Sequence, residues 1–328
     1  MLANISFLAD FSFIPRAFIP LPADQLIQVA PFGFLVCVAL LIDLLIGQAG
    51  WLRKLPNLHS LSQQISGFAA KKLDRARRSD ADRAMRGMVY CLCMIITGFI
   101  AGWLLWRLTG ISELIVIVIG ILVAQTISIG GTMHQLRALA GKDALSPSDA
   151  ANTLLQVSQS MLEQFLSGIL ICLILGPAGL FAWVGLLGII NAGAGKTIEA
   201  PAGPFYMFPV LLYSLIAWLP ALVLRAISKA SGILFPSRKK TDAEASGPSR
   251  IKLLPARGKS AEALCQALSV RINVTGEQSE TDDDHADWIG FQSGRRAIVK
   301  KDIKHALTIA WLVVILSALP LASMLSTY

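Results

Sequence analysis

The sequence predicts an all-α, multi-pass membrane protein of about six transmembrane helices with a small mixed segment on the cytoplasmic side. Three observations predict it. The 328 residues are 54% hydrophobic and only 15% charged, with a mean hydropathy of +0.61, far from the composition of a soluble enzyme. Six apolar stretches approach the roughly 20 residues that cross a bilayer. Of the 29 Lys and Arg residues, 26 fall in alternate loops, the asymmetry that marks cytoplasmic sides.

The spans fall near 31–49, 88–106, 111–129, 169–190, 204–224 and 306–325. With the loop after the first span in the cytoplasm, segments 50–87, 130–168 and 225–305 hold 9, 2 and 15 Lys or Arg, and only Arg16, Arg107 and Lys196 fall outside them. The chain then divides into an N-terminal interfacial segment (1–30), a membrane domain of five spans and two cytoplasmic helical loops (31–225), a basic cytoplasmic linker with a small mixed segment (226–305) and a final transmembrane helix (306–328). The expected location is the inner, cytoplasmic membrane with both termini external. Sidedness and contact with anionic lipid headgroups account for the net charge of +8. The basic residues form no nucleic-acid reading surface.

Met1 to Pro22 lacks the basic start, unbroken core and cleavage site of a signal peptide, and Asp10, Arg16, Pro15, Pro20 and Pro22 interrupt it. The first span carries Asp43 in LLIDLLIG. A carboxylate unpaired in hydrocarbon costs several kcal/mol, so Asp43 must meet another helix, water or a polar ligand. After it, Leu58, Leu61, Ile65 and Phe68 recur at helical spacing before a strongly basic stretch, the pattern of a helix lying on the membrane surface. Cys91 and Cys93, two residues apart in the second span, point to different helix faces, and the five cysteines give no disulfide framework. Glu113 opens the third span, where a carboxylate suits a helix N-terminus.

In the second cytoplasmic loop, Ser146, Pro147 and Asp149 form a helix start with an acidic version of the capping box. Leu154, Val157, Met161 and Phe165 then give an apolar stripe, and the helix is expected to end near Gly168. NAGAGKT at 191–197 looks like part of a phosphate-binding loop, but Ile190 stands where the first glycine is required. It reads as a small-residue loop on the external side. In the third loop, PSRKKTDAEASGPSR is a polar linker, Lys259 to Val274 suggests a short helix and strand, and the acidic run Glu280 to His285 reads as a solvated loop.

These landmarks resemble a known family. ALLIDLLIG is similar to the LLLDLLLGDP of the adenosylcobinamide-phosphate synthases of cobalamin biosynthesis (CbiB or CobD), keeping Asp43 and Gly47 but with Gln48 and Ala49 in place of the acidic-proline pair. His59 falls at the family's HPV. Ser160 to Gly168 (SMLEQFLSG) resembles SLAENLVDG, with Glu163 kept, Gln164 for asparagine and Ser167 for aspartate. GPAGLFAW with Asn191, AWLPALVL, ALSVRI and the stretch DWIGFQSGRRAIVKKDIKHAL resemble later family blocks in the same order.

The resemblance implies an ATP- and magnesium-dependent joining of adenosylcobyric acid to aminopropanol or its phosphate. It offers Asp43, His59 and Glu163 as catalytic candidates and Gln164, Ser167 and Asn191 as substrate-binding candidates, with no recognisable metal-ligand set. Such chemistry needs carboxylates for the metal, cations or amides for phosphate, and a proton acceptor. The family's RLDD stretch, however, corresponds to Leu211, Leu212, Tyr213 and Ser214, and the arginine of its IPARL to Leu222. Two functions follow. One is a divergent ligase with ATP, Mg2+ and a corrinoid substrate. The other is a non-catalytic accessory or signalling protein, similar in layout to AmpE-type membrane proteins, whose partners are membrane lipids and other membrane proteins. A transporter fits less well, because the spans suggest neither paired broken helices nor a ring of buried charges.

Overall fold

The structure, a computed structural model, describes residues 33, 35–43, 57–75, 77–109, 113–142, 146–194, 201, 203–234, 254–273, 288–290 and 298–326. Segment 1–30, the linker 236–250, Lys196 and the acidic run 280–285 lie outside them. Residues 35–43 of the first span are helical.

Helix α1 (Leu58–Leu73) begins where the Asn57 side chain accepts from the His59 N–H, and it ends with Lys71 and Lys72 in its last turn, where cations suit the helix C-terminus. Its inward face is small and polar: Ser62, Ser66 and Ala70 are buried, and the Ser62 hydroxyl donates to the Val184 carbonyl at 3.1 Å. Leu61, Ile65 and Phe68 are exposed. The apolar stripe therefore faces away from the protein, as a helix resting on lipid requires.

Helix α2 (Asp80–Leu108) contains the second span, and Ser79 caps it by accepting from Asp82 N–H. It crosses α6 (Ser167–Ala194) at backbone contact. A Cβ on Gly98 would lie 2.6 Å from the Phe181 carbonyl oxygen, and one on Gly102 2.6 Å from that of Pro177. The spacing Gly98-x-x-x-Gly102 is the small-residue pattern by which membrane helices approach closely. Cys91 is buried here and Cys93 exposed, and every described cysteine is a free thiol.

The third span is not continuous. Helix α3 (Glu113–Thr126) and helix α4 (Gly130–Gly141) meet at a 46° bend. The sequence reading carried one helix to 129 and left the following residues as loop. A contact from Asp43, described below, accounts for the break.

Helix α5 (Pro147–Ser160) starts as predicted, but Ser146 makes no capping bond; its hydroxyl pairs with Ser148 at 2.9 Å. Leu154, Val157, Met161 and Phe165 are all buried. The helix does not end near Gly168. It passes through a π-helical turn, Met161–Leu166, directly into α6. The run Ser148–Ala194 is 47 residues long, roughly 70 Å of helix and twice the bilayer core, so it must bend. It does so at Gly176, whose φ of 66° is left-handed, followed by Pro177.

After a 3-10 turn (Pro204–Tyr206) comes α7 (Met207–Leu234). Helix α8 (Pro255–Leu268) closes on Ser269 in the left-handed region and leads to strand β1 (Arg271–Asn273), which pairs antiparallel with β2 (Trp288–Gly290), Ile272 opposite Ile289. The last helix is α9 (Lys300–Ser326), where the Asp302 carboxylate accepts from the Val299 N–H at 2.9 Å. Among the described residues three helical runs are long and apolar enough to cross a membrane, four if the bent α3–α4 pair is one span. The chain is mostly helical and membrane-compatible.

Candidate functional site

The sequence-predicted residues divide between two neighbouring centres. The first is the broken span. The Asp43 carboxylate accepts from the backbone N–H groups of Ile129 at 2.8 Å and Gly130 at 2.6 Å. These are orphan donors at the N-terminus of α4, so the charge meets both hydrogen-bond donors and the positive end of a helix. A side chain on Gly130 would collide with the Asp43 carbonyl, 2.6 Å from a Cβ. On the other side of the break, the buried His59 ring donates from Nε2 to the Thr126 carbonyl at 3.2 Å. Burial pushes the His59 pKa below its ordinary value, against the opposing pull of the Thr126 carbonyl and Glu163. Asp43 and His59 thus splint the two ends of one helix break.

A cavity of about 290 Å³ opens beside the break. Asn57, Gln125, Gln135, Gln156 and Gln164 bring five carboxamides to its wall, and Ser128, Thr132 and Ser160 bring three hydroxyls. Asp43 is the one carboxylate of the described lining, which holds no Lys, Arg or His. Of the predicted substrate-binding residues, Gln164 lines this cavity.

The second centre is built on the π-turn. Widening the helix to i→i+5 bonding re-aims side chains and frees carbonyls. The Ser167 hydroxyl donates to Leu162 O at 2.7 Å, and the Trp183 indole N–H to Glu163 O at 2.9 Å. Ser167 is therefore a backbone splint, fully buried. The Glu163 carboxylate accepts from the Tyr213 hydroxyl at 2.6 Å, from Gln159 Nε2 at 3.0 Å and from Arg257 Nε. Arg257 Nη2 and Gln159 also donate to Asn191 Oδ1, at 2.5 and 3.4 Å. Trp183 stacks on Tyr213, ring centroids 5.7 Å apart, and the guanidinium lies 5.6 Å from the same tyrosine ring.

Glu163 and Arg257 are 3% and 1% exposed, a fully enclosed ion pair. Burial disfavours the Arg257 cation, but Glu163 and Tyr213 outweigh it and its pKa stands above the ordinary arginine value. Arg257 Nη1 is buried with no partner among the described residues. Adjacent residues of the π-turn therefore serve different centres, Glu163 the ion pair and Gln164 the cavity.

No hydrogen bond joins Asp43, His59 and Glu163 to one another, although the Glu163 charge acts on the His59 ring. Among the described residues, no three His, Cys, Asp or Glu side chains gather as a metal site. Magnesium takes near-octahedral oxygen ligands, whereas Asp43 Oδ2 is bound to two backbone amides and both Glu163 oxygens to an amide, a phenol and a guanidinium, so the two carboxylates do not form a magnesium ligand set. Leu211 and Leu222 are exposed on the outer face of α7, and Tyr213 is turned inward.

Sequence reading missed Arg257, Gln159 and the cavity glutamines other than Gln164, and it gave Tyr213 no place in a site. For Arg257 a signal existed. It shares the stripe of Ser260, Ala261, Leu264 and Leu268 on α8, where a cation stands at a core position and demands a partner. The glutamines carry no comparable sign, because an amide is ordinary at any helix surface. Comparison of the chain with family models, with curated proteins and with solved structures returns no match.

Proposed function

We propose that this chain is a non-catalytic accessory or signalling protein of the cytoplasmic membrane, on a scaffold related to the adenosylcobinamide-phosphate synthases and similar in layout to AmpE-type proteins. The resemblance around Asp43, His59 and Glu163 supports the scaffold. The observation that carries the loss of activity is the enclosure of Glu163 by Arg257 and Tyr213. A carboxylate that must hold a metal or accept an amine proton needs an open lone pair and access to substrate. Here a guanidinium, a phenol and an amide take those lone pairs. Asp43 is likewise committed to the backbone of α4. The described cavity wall, with the Asp43 carboxylate its one acidic group, offers no cation to offset the triphosphate charge.

The test is turnover. Purified protein supplied with ATP, Mg2+, adenosylcobyric acid and aminopropanol phosphate yields no amide product above the protein-free control. Sustained product formation that disappears in Glu163→Ala would establish the ligase instead.

A further inference from the structure

The cavity at the helix break has a wall whose chemistry selects a ligand. Gln125, Gln135 and Gln164, half-buried, and Gln156, exposed, line the cavity, and no hydrogen bond joins their side-chain amides to a described residue. Each carries two N–H donors and a carbonyl acceptor. The other polar groups are partly committed: Asn57 Oδ1 accepts from His59 N–H, and Asp43 holds Ile129 and Gly130.

An anionic ligand would sit beside the Asp43 carboxylate without a cation in the described lining to offset it. A cation would find one carboxylate, one oxygen of which already accepts two backbone N–H groups. An apolar ligand would strip water from four amides and return no hydrogen bonds. A solute dense in hydroxyls, each both donor and acceptor, satisfies donors and acceptors of the amides at once. The volume, about 290 Å³, holds several water molecules and is large enough to admit a six-carbon polyol.

The surrounding backbone has the form of a binding site as well. Irregular backbone at membrane depth is tolerated where it lines a cavity, and discontinuous helices flank solute sites in membrane proteins. Ser128 of the break and Thr132 in the first turn of α4 both line this one.

We infer that this cavity is a binding site for an uncharged polyol of monosaccharide size, held by the carboxamides of Gln125, Gln135, Gln156 and Gln164. The inference rests on the non-catalytic reading, since it takes the eroded reaction region as a recognition site. The two fail separately: turnover of the corrinoid substrate would overturn the function without touching polyol binding, and the reverse also holds.

The experiment is calorimetric titration of the full chain in lipid nanodiscs free of sugar-headed detergent. The probes are D-glucose and myo-inositol, with glucose 6-phosphate and glucosamine as charged counterparts. At least one uncharged probe binds, and both charged ones bind at least about tenfold more weakly. Gln164→Leu and Gln156→Leu each weaken binding about fivefold to tenfold, the loss of one hydrogen bond, with unchanged thermal unfolding. As a second readout, the thiol of Gln156→Cys is alkylated more slowly when the polyol is present. Failure of both uncharged probes to bind, equal or tighter binding of either charged counterpart, or unchanged affinity in both leucine variants overturns the assignment.

Discussion

At the scale of single residues, the Glu163–Arg257 pair makes the sharpest demands. Removing one member of an enclosed ion pair leaves the other charged and without compensation, at a cost of about 3–5 kcal/mol. Arg257→Met therefore lowers stability by that order, measured by unfolding in micelles. Adding Glu163→Gln recovers a large part of the loss, since the remaining groups are then neutral. Additive losses in the double variant would show that the two side chains contribute independently. His59 gives a pH signature. Its folded pKa lies below the ordinary 6.5, so protonation favours the unfolded chain. The contribution is complete above about pH 6.5 and is lost as pH falls through the depressed folded value. The melting temperature is accordingly level from about pH 8 to 7 and falls below about 6.5. His59→Gln, which keeps an N–H for the Thr126 carbonyl, flattens that fall.

Among the elements, the α2–α6 crossing and the break between α3 and α4 are the two least forgiving places. Leucine at position 102 would drive a side chain into the Pro177 carbonyl, 2.6 Å from its Cβ. Gly102→Leu separates the helices or prevents assembly, whereas Ile100→Leu, on the exposed face of α2, is neutral; protease resistance of the two variants in micelles distinguishes them. Much of this level was legible in the sequence. The apolar stripe of α5 follows from periodicity, the apolar stretch 88–106 marks the core of α2 though not its full extent of Asp80–Leu108, and the exposed stripe of α1 matches the lipid-facing reading. The break was not legible. Its cause is a carboxylate 86 residues away from Ile129 in the chain, while the local sequence ILVAQTISIG has the hydropathy of an unbroken span. The π-turn was equally hidden, since Trp183 and Ser167 stabilise its freed carbonyls from outside the turn itself. Glu163 could be singled out from sequence, but not the arginine, phenol and amides that surround it.

For the whole molecule, the positive-inside asymmetry predicts an orientation that a reporter can test. A reporter fused after residue 240 reads as cytoplasmic and one at the C-terminus as external; the opposite pair reverses the arrangement. Arg257 adds a constraint that charge counting did not contain. Helix α8 belongs to the polar segment between α7 and α9, yet its first turn reaches into the bundle to meet Glu163, Tyr213 and Asn191. Covalent continuity through residues 235–253 is thus not what keeps α8 in register with the membrane helices. A polypeptide severed there by an inserted protease site would still migrate as one particle, because α8 packs on α7 and α5 and α9 packs on α4 and α7, and Arg257→Met would weaken that association without abolishing it.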